Sequence, residues 1–219
     1  MGVVFLVLAL AVAAFAQDPH AVRSPDGAVE FRAFIHQSPD GGLSRIAYQI
    51  FYRGKPVIGP SLIGFDIADQ EPLLGENDGV TAWSEKGSAL VVEYMQNGSI
   101  GRRINLEAKA MDEGVAFRFV IPQTTPLIEI PIRDEETEFA IVPNSGVEIA
   151  IGEANSGAYP QMNLIRQPDG KLSTRFKTGW ESKTPLLIPW RIVAIGNTRS
   201  AAESNLRTLQ TRVDPASSR

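Results

Sequence analysis

One acidic residue, Glu153, stands at the end of an apolar stretch and precedes a small polar turn that carries an aromatic residue. The segment runs from Val147 to Arg166 and reads VEIAIGEANSGAYPQMNLIR. Residues 147–153 have the pattern of a strand, so Glu153 is expected where the chain leaves a sheet. A lone carboxylate there can be a metal ligand, an acceptor for sugar hydroxyl groups or a solvated acid. Its own neighbours leave these three alternatives open.

Three tryptophans, Trp83, Trp180 and Trp190, could offer a flat π face to a sugar ring, on which the axial C–H groups of a pyranose pack. A tryptophan in a β-rich protein can equally belong to the core. Trp180 lies in the loop-like sequence KTGWE and is predicted to be the best exposed candidate. Trp190 lies between Pro189 and Arg191 at the start of an apolar strand, which indicates a structural role.

The composition excludes several kinds of chemistry. The chain has no cysteine, and its two histidines are His20 and His36, so thiolate catalysis, cysteine-based zinc sites and most histidine-dependent triads are excluded. A net charge of −4 with scattered basic residues argues against nucleic-acid binding. A metal site would have to be lined by oxygen, which favours calcium or magnesium. The acidic run DEETE at 134–138 is predicted to be a solvated strand edge, because alternate side chains of a strand point to opposite faces.

The first sixteen residues, Met1 to Ala16, have the pattern of a secretory signal peptide. An apolar run ends in an A-x-A cleavage pattern at 14–16 and is followed by polar residues. The run is too short for a membrane-spanning helix. We therefore expect an exported protein, periplasmic or secreted, that is not an integral membrane protein after cleavage.

The rest of the chain is dominated by a hydrophobic period of two, which is typical of strands. Turn sequences rich in Gly, Asn, Asp and Pro separate the strands at short intervals, and this spacing predicts an all-β sandwich of antiparallel sheets. One helix is predicted over Ser200–Gln210, with Ser200 as its cap and Glu203 at the capping-box position. The predicted strands are 28–35, 44–52, 61–68, 80–86, 88–95, 102–110, 115–121, 127–132, 136–142, 147–153, 162–166, 172–177 and 189–196.

Eight short segments stand out along the chain, spread over about residues 22 to 210. They are SPDG with EF (24–31), YRGKPVI and SLIG (52–64), GRR (101–103), DEGVAFRF (112–119), EETEF (135–139), IGEA and YPQMNL (151–164), PWR (189–191) and ESNL (203–206). In this order they resemble the N-terminal domain of glycoside hydrolase family 97. The resemblance covers nearly the whole chain after the predicted signal peptide.

The resemblance implies a β-supersandwich related to the galactose mutarotase fold, spanning residues 22–211, with 212–219 as a linker or a cut end. In the family this domain packs on a catalytic (β/α)₈ barrel and walls a site for α-linked glycosides or oligosaccharides. The position that matches the domain's calcium ligand is Glu153, and the remaining calcium ligands come from the barrel. The candidate substrate-binding residues are Trp180, Tyr159 and Asn163.

Two departures from the family pattern limit this expectation. A barrel needs about 250 residues, and the sequence in hand stops at Arg219. About two dozen residues that family members carry before the strand of Glu153 are also missing, since Phe139–Asn144 runs almost directly into Val147. The chain alone is therefore expected to be a non-catalytic, carbohydrate-binding domain. Two alternatives stay open: a fragment of an α-glucosidase or α-galactosidase, and an exported protein-interaction module without sugar binding.

Overall fold

The structure is a computed structural model that describes residues 19–37, 44–69, 78–96, 101–126, 128–154, 157–183 and 185–213. The predicted signal peptide, Met1–Ala16, and residues 214–219 of the predicted linker lie outside these ranges. None of the helices in the described ranges is long and apolar enough to cross a membrane.

The described residues form a sandwich of antiparallel sheets with one helix at the end of the chain, which confirms the predicted fold class. The elements are β1 (His20–Arg23), β2 (Val29–His36), β3 (Arg45–Tyr52), β4 (Lys55–Leu62), β5 (Phe65–Ile67), β6 (Asp78–Lys86), β7 (Ala89–Gln96), β8 (Arg103–Met111), β9 (Gly114–Ile121), β10 (Glu129–Glu135), β11 (Glu138–Phe139), β12 (Glu148–Ala154), β13 (Asn163–Arg166), β14 (Leu172–Arg175), β15 (Trp180–Lys183), β16 (Leu186–Leu187), β17 (Trp190–Gly196) and α1 (Arg199–Val213).

Two large sheets make the two layers. One has the order β1-β2-β3-β4, and the other has the order β12-β17-β9-β8-β7-β6, with β16 paired to β9. Two three-stranded sheets, β15-β10-β5 and β11-β14-β13, extend the assembly. The apolar faces of the two large sheets meet in one core, where the rings of Phe31, Tyr48 and Phe117 lie with centroids 4.6–5.7 Å apart. The alternation seen in the sequence is the consequence of this one-sided burial.

Helix α1 covers the outer face of the larger sheet at β17 and β12. Trp190, Ile192 and Ala194 point towards the helix, where they pack with Leu209, whereas Val193 on the other face belongs to the main core. Strand β17 is therefore buried on both faces, and every one of its residues is buried. This explains why its sequence, WRIVAIG, is a continuous run rather than an alternation.

Most of the main strands lie where the hydrophobic period predicted them. Strands β1, β15 and β16 were not predicted, because each has only two to four residues. Strand β4 was missed over residues 55–60, where Pro56, Gly59 and Pro60 interrupt the strand pattern, and the predicted strand 61–68 covers only the end of β4 together with β5. The helix begins at Arg199 and its cap is Thr198, whose Oγ1 accepts a hydrogen bond from the backbone N–H of Ala201 at 3.2 Å. Ser200 is therefore inside the helix, and Glu203 pairs with Arg199 one turn earlier instead of closing a capping box.

Candidate functional site

Glu153 lies near the end of β12, directly opposite Arg191 in the neighbouring strand β17. Directly opposed residues of an antiparallel pair project from the same face of the sheet. Arg191 lies between Trp190 and Ile192, which face the helix, so its own side chain points into the space between the sheets. That side chain is completely buried, whereas 18% of the Glu153 side chain is exposed. One member of the pair therefore lies in the interior and the other reaches the surface.

Arg191 donates hydrogen bonds to two carboxylates. Its Nε bonds Oε1 of Glu135 at 2.9 Å, and its Nη2 bonds Oε2 of the same residue, which makes the contact bidentate. The third donor, Nη1, bonds Oε2 of Glu153 at 2.7 Å. Since an arginine is rarely found fully buried unless it is paired, these contacts explain how the guanidinium is accommodated.

Glu135 accepts hydrogen bonds from several residues around Arg191. Besides Arg191, it accepts hydrogen bonds from Oγ1 of Thr137 at 2.6 Å and from the hydroxyl of Tyr159 at 2.8 Å. Burial alone would raise the pKa of the Glu135 carboxyl, but the charge and hydrogen bonds of Arg191 outweigh it and lower the pKa below its usual value. Burial, together with the negative charge of Glu135, raises the pKa of Tyr159 well above its usual value. Glu135 is therefore ionised at neutral pH and Tyr159 is not.

The backbone fixes Glu153 as well. The N–H of Met162 lies 3.2 Å and 3.3 Å from the two carboxylate oxygens of Glu153, and Nε2 of Gln210 in the helix bonds its backbone carbonyl at 2.9 Å. Strand β17, the turn after β12 and helix α1 thus all determine where this carboxylate lies. Its exposed fraction leaves room for a further contact.

The prediction that residues 134–138 form a solvated edge is wrong for three of them. Asp134, Glu135 and Thr137 are 7%, 0% and 0% exposed. Asp134 accepts a hydrogen bond from the N–H of Phe176 at 2.8 Å and pairs with Arg175 at 3.0 Å, and burial raises its pKa. Strand β10 lies between β15 and β5, with a register irregularity next to Asp134, so neighbouring segments cover its end. A charged Arg191 inside an apolar strand was the sequence signal that a buried carboxylate had to exist.

The candidate substrate-binding residues are only partly brought together. Tyr159 and Trp180 are in contact, with ring centroids 5.0 Å apart, and both line a cavity of about 250 Å³ with Arg118, Ala158 and Ile188 among other residues. That volume is just below the range of about 300–1,000 Å³ that is common for small-molecule sites. Asn163 is half-buried at the start of β13, where its amide Nδ2 donates to the backbone carbonyl of Gln161 at 3.1 Å. It is not among the residues that line this cavity.

The three tryptophans differ in exposure, and one of them, Trp180, differs from its prediction. Trp180 is half-buried in β15 and packs against the core, so it is not a freely exposed loop residue. Trp190 is 4% exposed, which confirms its structural role. The most exposed of the three is Trp83, at 55%, in the edge strand β6.

A calcium ion does not fit the described residues by themselves. Calcium takes six to eight oxygen ligands. Among the residues that the structure describes, no three or more acidic, histidine or cysteine side chains come together in a way that could hold a metal. Glu153 brings one carboxylate, and Arg191 already holds one of its two oxygens. Further ligands would have to come from outside the described part of the chain.

Comparison with known proteins gives one family and several solved structures. The sequence model of the glycosyl-hydrolase 97 N-terminal family matches residues 22–147 and 140–209. The two matched ranges overlap at residues 140–147, just before the strand of Glu153, where the sequence lacks residues that family members carry. No curated protein sequence matches the chain.

The structural neighbours include a glycoside hydrolase family 97 enzyme from Pseudoalteromonas sp. strain K8, determined with acarbose and, as a variant, with panose. It is 20% identical, with a TM-score of 0.72, and the match covers 82% of this chain and 36% of that one. A beta-arabinopyranosidase matches with 14% identity and a TM-score of 0.67, over 83% of this chain and 40% of that one. The chain thus corresponds to little more than a third of the length of these proteins.

Proposed function

The chain belongs to the glycosyl-hydrolase 97 N-terminal family, and from this premise we propose that it is the exported, non-catalytic, carbohydrate-binding sandwich of a family 97 glycoside hydrolase. In this role it forms one wall of a site for an α-linked oligosaccharide or glycoside, and a (β/α)₈ barrel forms the rest. The observation that carries the proposal is the position of Glu153, held by Arg191 and Met162 at a partly exposed point, with the guanidinium of Arg191 5.7 Å from the ring of Tyr159, which lines the cavity.

The state of the buried acid supports a non-catalytic role. Glycosidases use two carboxyl groups, and one of them must donate a proton to the leaving group. Glu135 has no access to solvent, and its lowered pKa leaves it without a proton to give at neutral pH. The arrangement of Glu135 and Glu153 around a shared Arg191 is suited to fixing a position and not to transferring protons.

Glu153 is proposed to give one ligand to a calcium site that residues outside the described chain complete. One oxygen of Glu153 is held by Arg191, so the carboxylate has a defined orientation before any ion arrives. A calcium ion bound there would supply a fixed positive charge next to a sugar. Within this chain, the contribution of Arg191, Met162 and Gln210 is to keep that carboxylate in place.

Tyr159 is proposed to connect the cluster around Glu153, the proposed calcium ligand, to the aromatic residues that would contact the sugar. Its hydroxyl bonds Glu135, and its ring lines the cavity against the ring of Trp180. The aromatic wall offers a π face to a sugar ring, and Arg118, whose Nε donates to Glu107 at 2.8 Å, lines the same cavity with its remaining donors. A cavity of about 250 Å³ is small for an oligosaccharide, which agrees with a site that a second domain enlarges.

Two experiments test the proposal. Sequencing the DNA after codon 219 tests the architecture: an open frame that encodes a barrel supports it, whereas a stop codon with no barrel gene beside it favours the interaction module. Calorimetric titration of the purified chain with panose tests the sugar wall. We expect weak binding that Trp180→Ala reduces, with Trp180→Phe as the matched control; binding that Trp180→Ala leaves unchanged would contradict the assignment of this cavity.

A further inference from the structure

Trp83 is the exposed aromatic residue at the open edge of the larger sheet. Among the described residues, it is the one large aromatic hydrophobic side chain that is strongly exposed, at 55%. It lies in β6, whose residues from Thr81 to Lys86 are all exposed. Burying a tryptophan ring is favourable, and soluble proteins usually bury most of it. An exposed tryptophan ring on a regular strand therefore indicates a surface that can bind a ligand.

The position of the ring follows from the strand register. Trp83 pairs with Val92 in β7, and Val92 is completely buried in the main core, so Trp83 projects from the same, core-facing side of the sheet. The opposite sheet ends at β1, which lies over β7 and β8. Strand β6 therefore extends beyond the opposite sheet. The uncovered, core-facing side of β6, on which Trp83 lies, is called the ledge.

One ring of the opposite sheet reaches this ledge. The centroid of His20, in β1, lies 5.0 Å from that of Trp83, with the two planes 36° apart. Partial burial lowers the pKa of His20, so at neutral pH the imidazole is uncharged and can both donate and accept a hydrogen bond. The two rings therefore lie in contact on this ledge, and more than half of Trp83 stays exposed.

A polar group follows on the same face. Glu85 pairs with Leu90, which is buried, so its exposed side chain projects from the same side as Trp83. The Cα atoms of two residues on the same face of a strand are about 7 Å apart. The ledge thus combines a π face with a carboxylate acceptor two residues further along the same strand face.

We propose that Trp83 and His20 form a stacking platform for a pyranose ring of an oligosaccharide, with Glu85 accepting a hydrogen bond from one of its hydroxyl groups. The C–H groups of one sugar face pack on the indole, which removes the exposed apolar surface without requiring a deep pocket. The charged pair Glu85 and Lys86 at the end of the same strand disfavours the addition of a protein strand to this edge.

The platform is separate from the position of Glu153. Strands β12 and β6 are the two opposite edges of the larger sheet, five strand spacings apart. At about 4.8 Å per spacing the two positions are about 24 Å apart, too far for one sugar unit to contact both. The choice of an α-linked glucose chain as the ligand rests on the proposed function, whereas the platform itself does not.

The test is titration of the purified chain with maltoheptaose and, separately, with cellopentaose, followed by calorimetry and by tryptophan fluorescence. We expect saturable binding of maltoheptaose, a fluorescence change on binding, and a loss of about tenfold or more in affinity in Trp83→Ala, which corresponds to about 1.4 kcal/mol. Trp83→Phe, the matched control, should keep most of the affinity because it keeps a ring. Since Trp83 is exposed, all variants should fold, and circular dichroism checks this.

The outcomes separate this platform from the cavity of Trp180. Binding of either sugar that is lost in Trp83→Ala but kept in Trp180→Ala supports the platform, even if the proposed function fails. No saturable binding of either sugar, or binding that Trp83→Ala leaves unchanged, overturns it. A concentration-dependent dimer that Trp83→Ala abolishes, seen by size-exclusion chromatography without sugar binding, would overturn it in favour of self-association.

Discussion

Arg191 and Glu135 form a bidentate ion pair in which neither side chain has any exposed surface. The pair joins β17 to the end of β10, which belong to different sheets. Through the third donor of Arg191 it also holds Glu153, the one member of the cluster that reaches the surface. The position of the Glu153 carboxylate therefore depends on a charged pair in the interior.

Removing one partner of this pair should destabilise the protein strongly. Glu135→Gln leaves the buried guanidinium of Arg191 without its main counter-charge, and breaking a buried ion pair typically costs about 3–5 kcal/mol. The free energy of unfolding, measured by urea denaturation, should fall by this amount. Glu136→Gln is the matched control, because Glu136 is 42% exposed in its contact with Arg45 and should change stability by less than about 1 kcal/mol. Equal effects of the two substitutions would contradict the assigned role of Glu135.

The contribution of Glu135 to stability should depend on pH in a defined direction. Its pKa in the folded protein is below its ordinary value of 4.5, so its stabilising effect is fully present above that value and is lost as the pH falls through the folded pKa. The measurement is the difference in unfolding free energy between the wild type and Glu135→Gln from pH 7 to pH 3. This difference should be constant above about pH 5.5 and shrink on acidification. A difference that grows at low pH would show that the sign is wrong.

Two glycines under helix α1 should differ in their tolerance of alanine. A Cβ on Gly196 would lie 2.3 Å from the backbone nitrogen of Ala202, whereas a Cβ on Gly152 would lie 2.8 Å from a side-chain methyl of Leu206. A leucine can change its rotamer but a helix backbone has to shift as a whole, so Gly196→Ala should cost clearly more than the roughly 1–3 kcal/mol that overpacking usually costs. Gly152→Ala should fall within or below that range. Thermal unfolding of both variants, side by side, makes the comparison; similar melting temperatures would contradict it.

The purified chain should not hydrolyse p-nitrophenyl α-glucoside or p-nitrophenyl α-galactoside. Glu135 is buried and ionised, and Glu153 is paired with Arg191, so the described residues around this site offer no proton donor next to a second free carboxylate. The release of p-nitrophenol is followed with the chain at about ten times the lowest concentration at which a known glycosidase gives a detectable signal. Turnover that co-purifies with the chain and survives in a second preparation would refute the non-catalytic assignment.

The chain alone should bind calcium no more tightly than about 1 mM, the weak end of the range for protein calcium sites. The reason is that Glu153 offers one carboxylate and shares it with Arg191. Calorimetry with calcium chloride measures this directly, and Glu153→Gln should abolish what binding there is. Micromolar binding that persists in Glu153→Gln would place the ligands elsewhere in the chain.

The sequence determined the class of the fold and the positions of most strands. A hydrophobic period of two, broken by Gly, Asn and Asp turns, leaves few alternatives to antiparallel sheets, because one face of each strand has to be buried. The same reasoning found β8 and β9 almost to the residue, and it placed Glu153 near the end of a strand. Local patterns are enough for such properties, since they depend on neighbours along the chain.

The tertiary structure decided which charges are buried and which rings are exposed. Residues 134–138 look solvated in sequence, yet Glu135 is buried because β17, 56 positions later, brings Arg191 to it. Trp180 looks exposed and is half-buried against Tyr159, whereas Trp83 is exposed because β6 extends past the edge of the opposite sheet. Burial depends on which distant strand lies opposite a residue. The local sequence pattern does not determine the order of the strands in the sheets. For the same reason, Glu153 could be named from the sequence, but Arg191 and Glu135, which hold it, could be assigned only once the sheets were assembled.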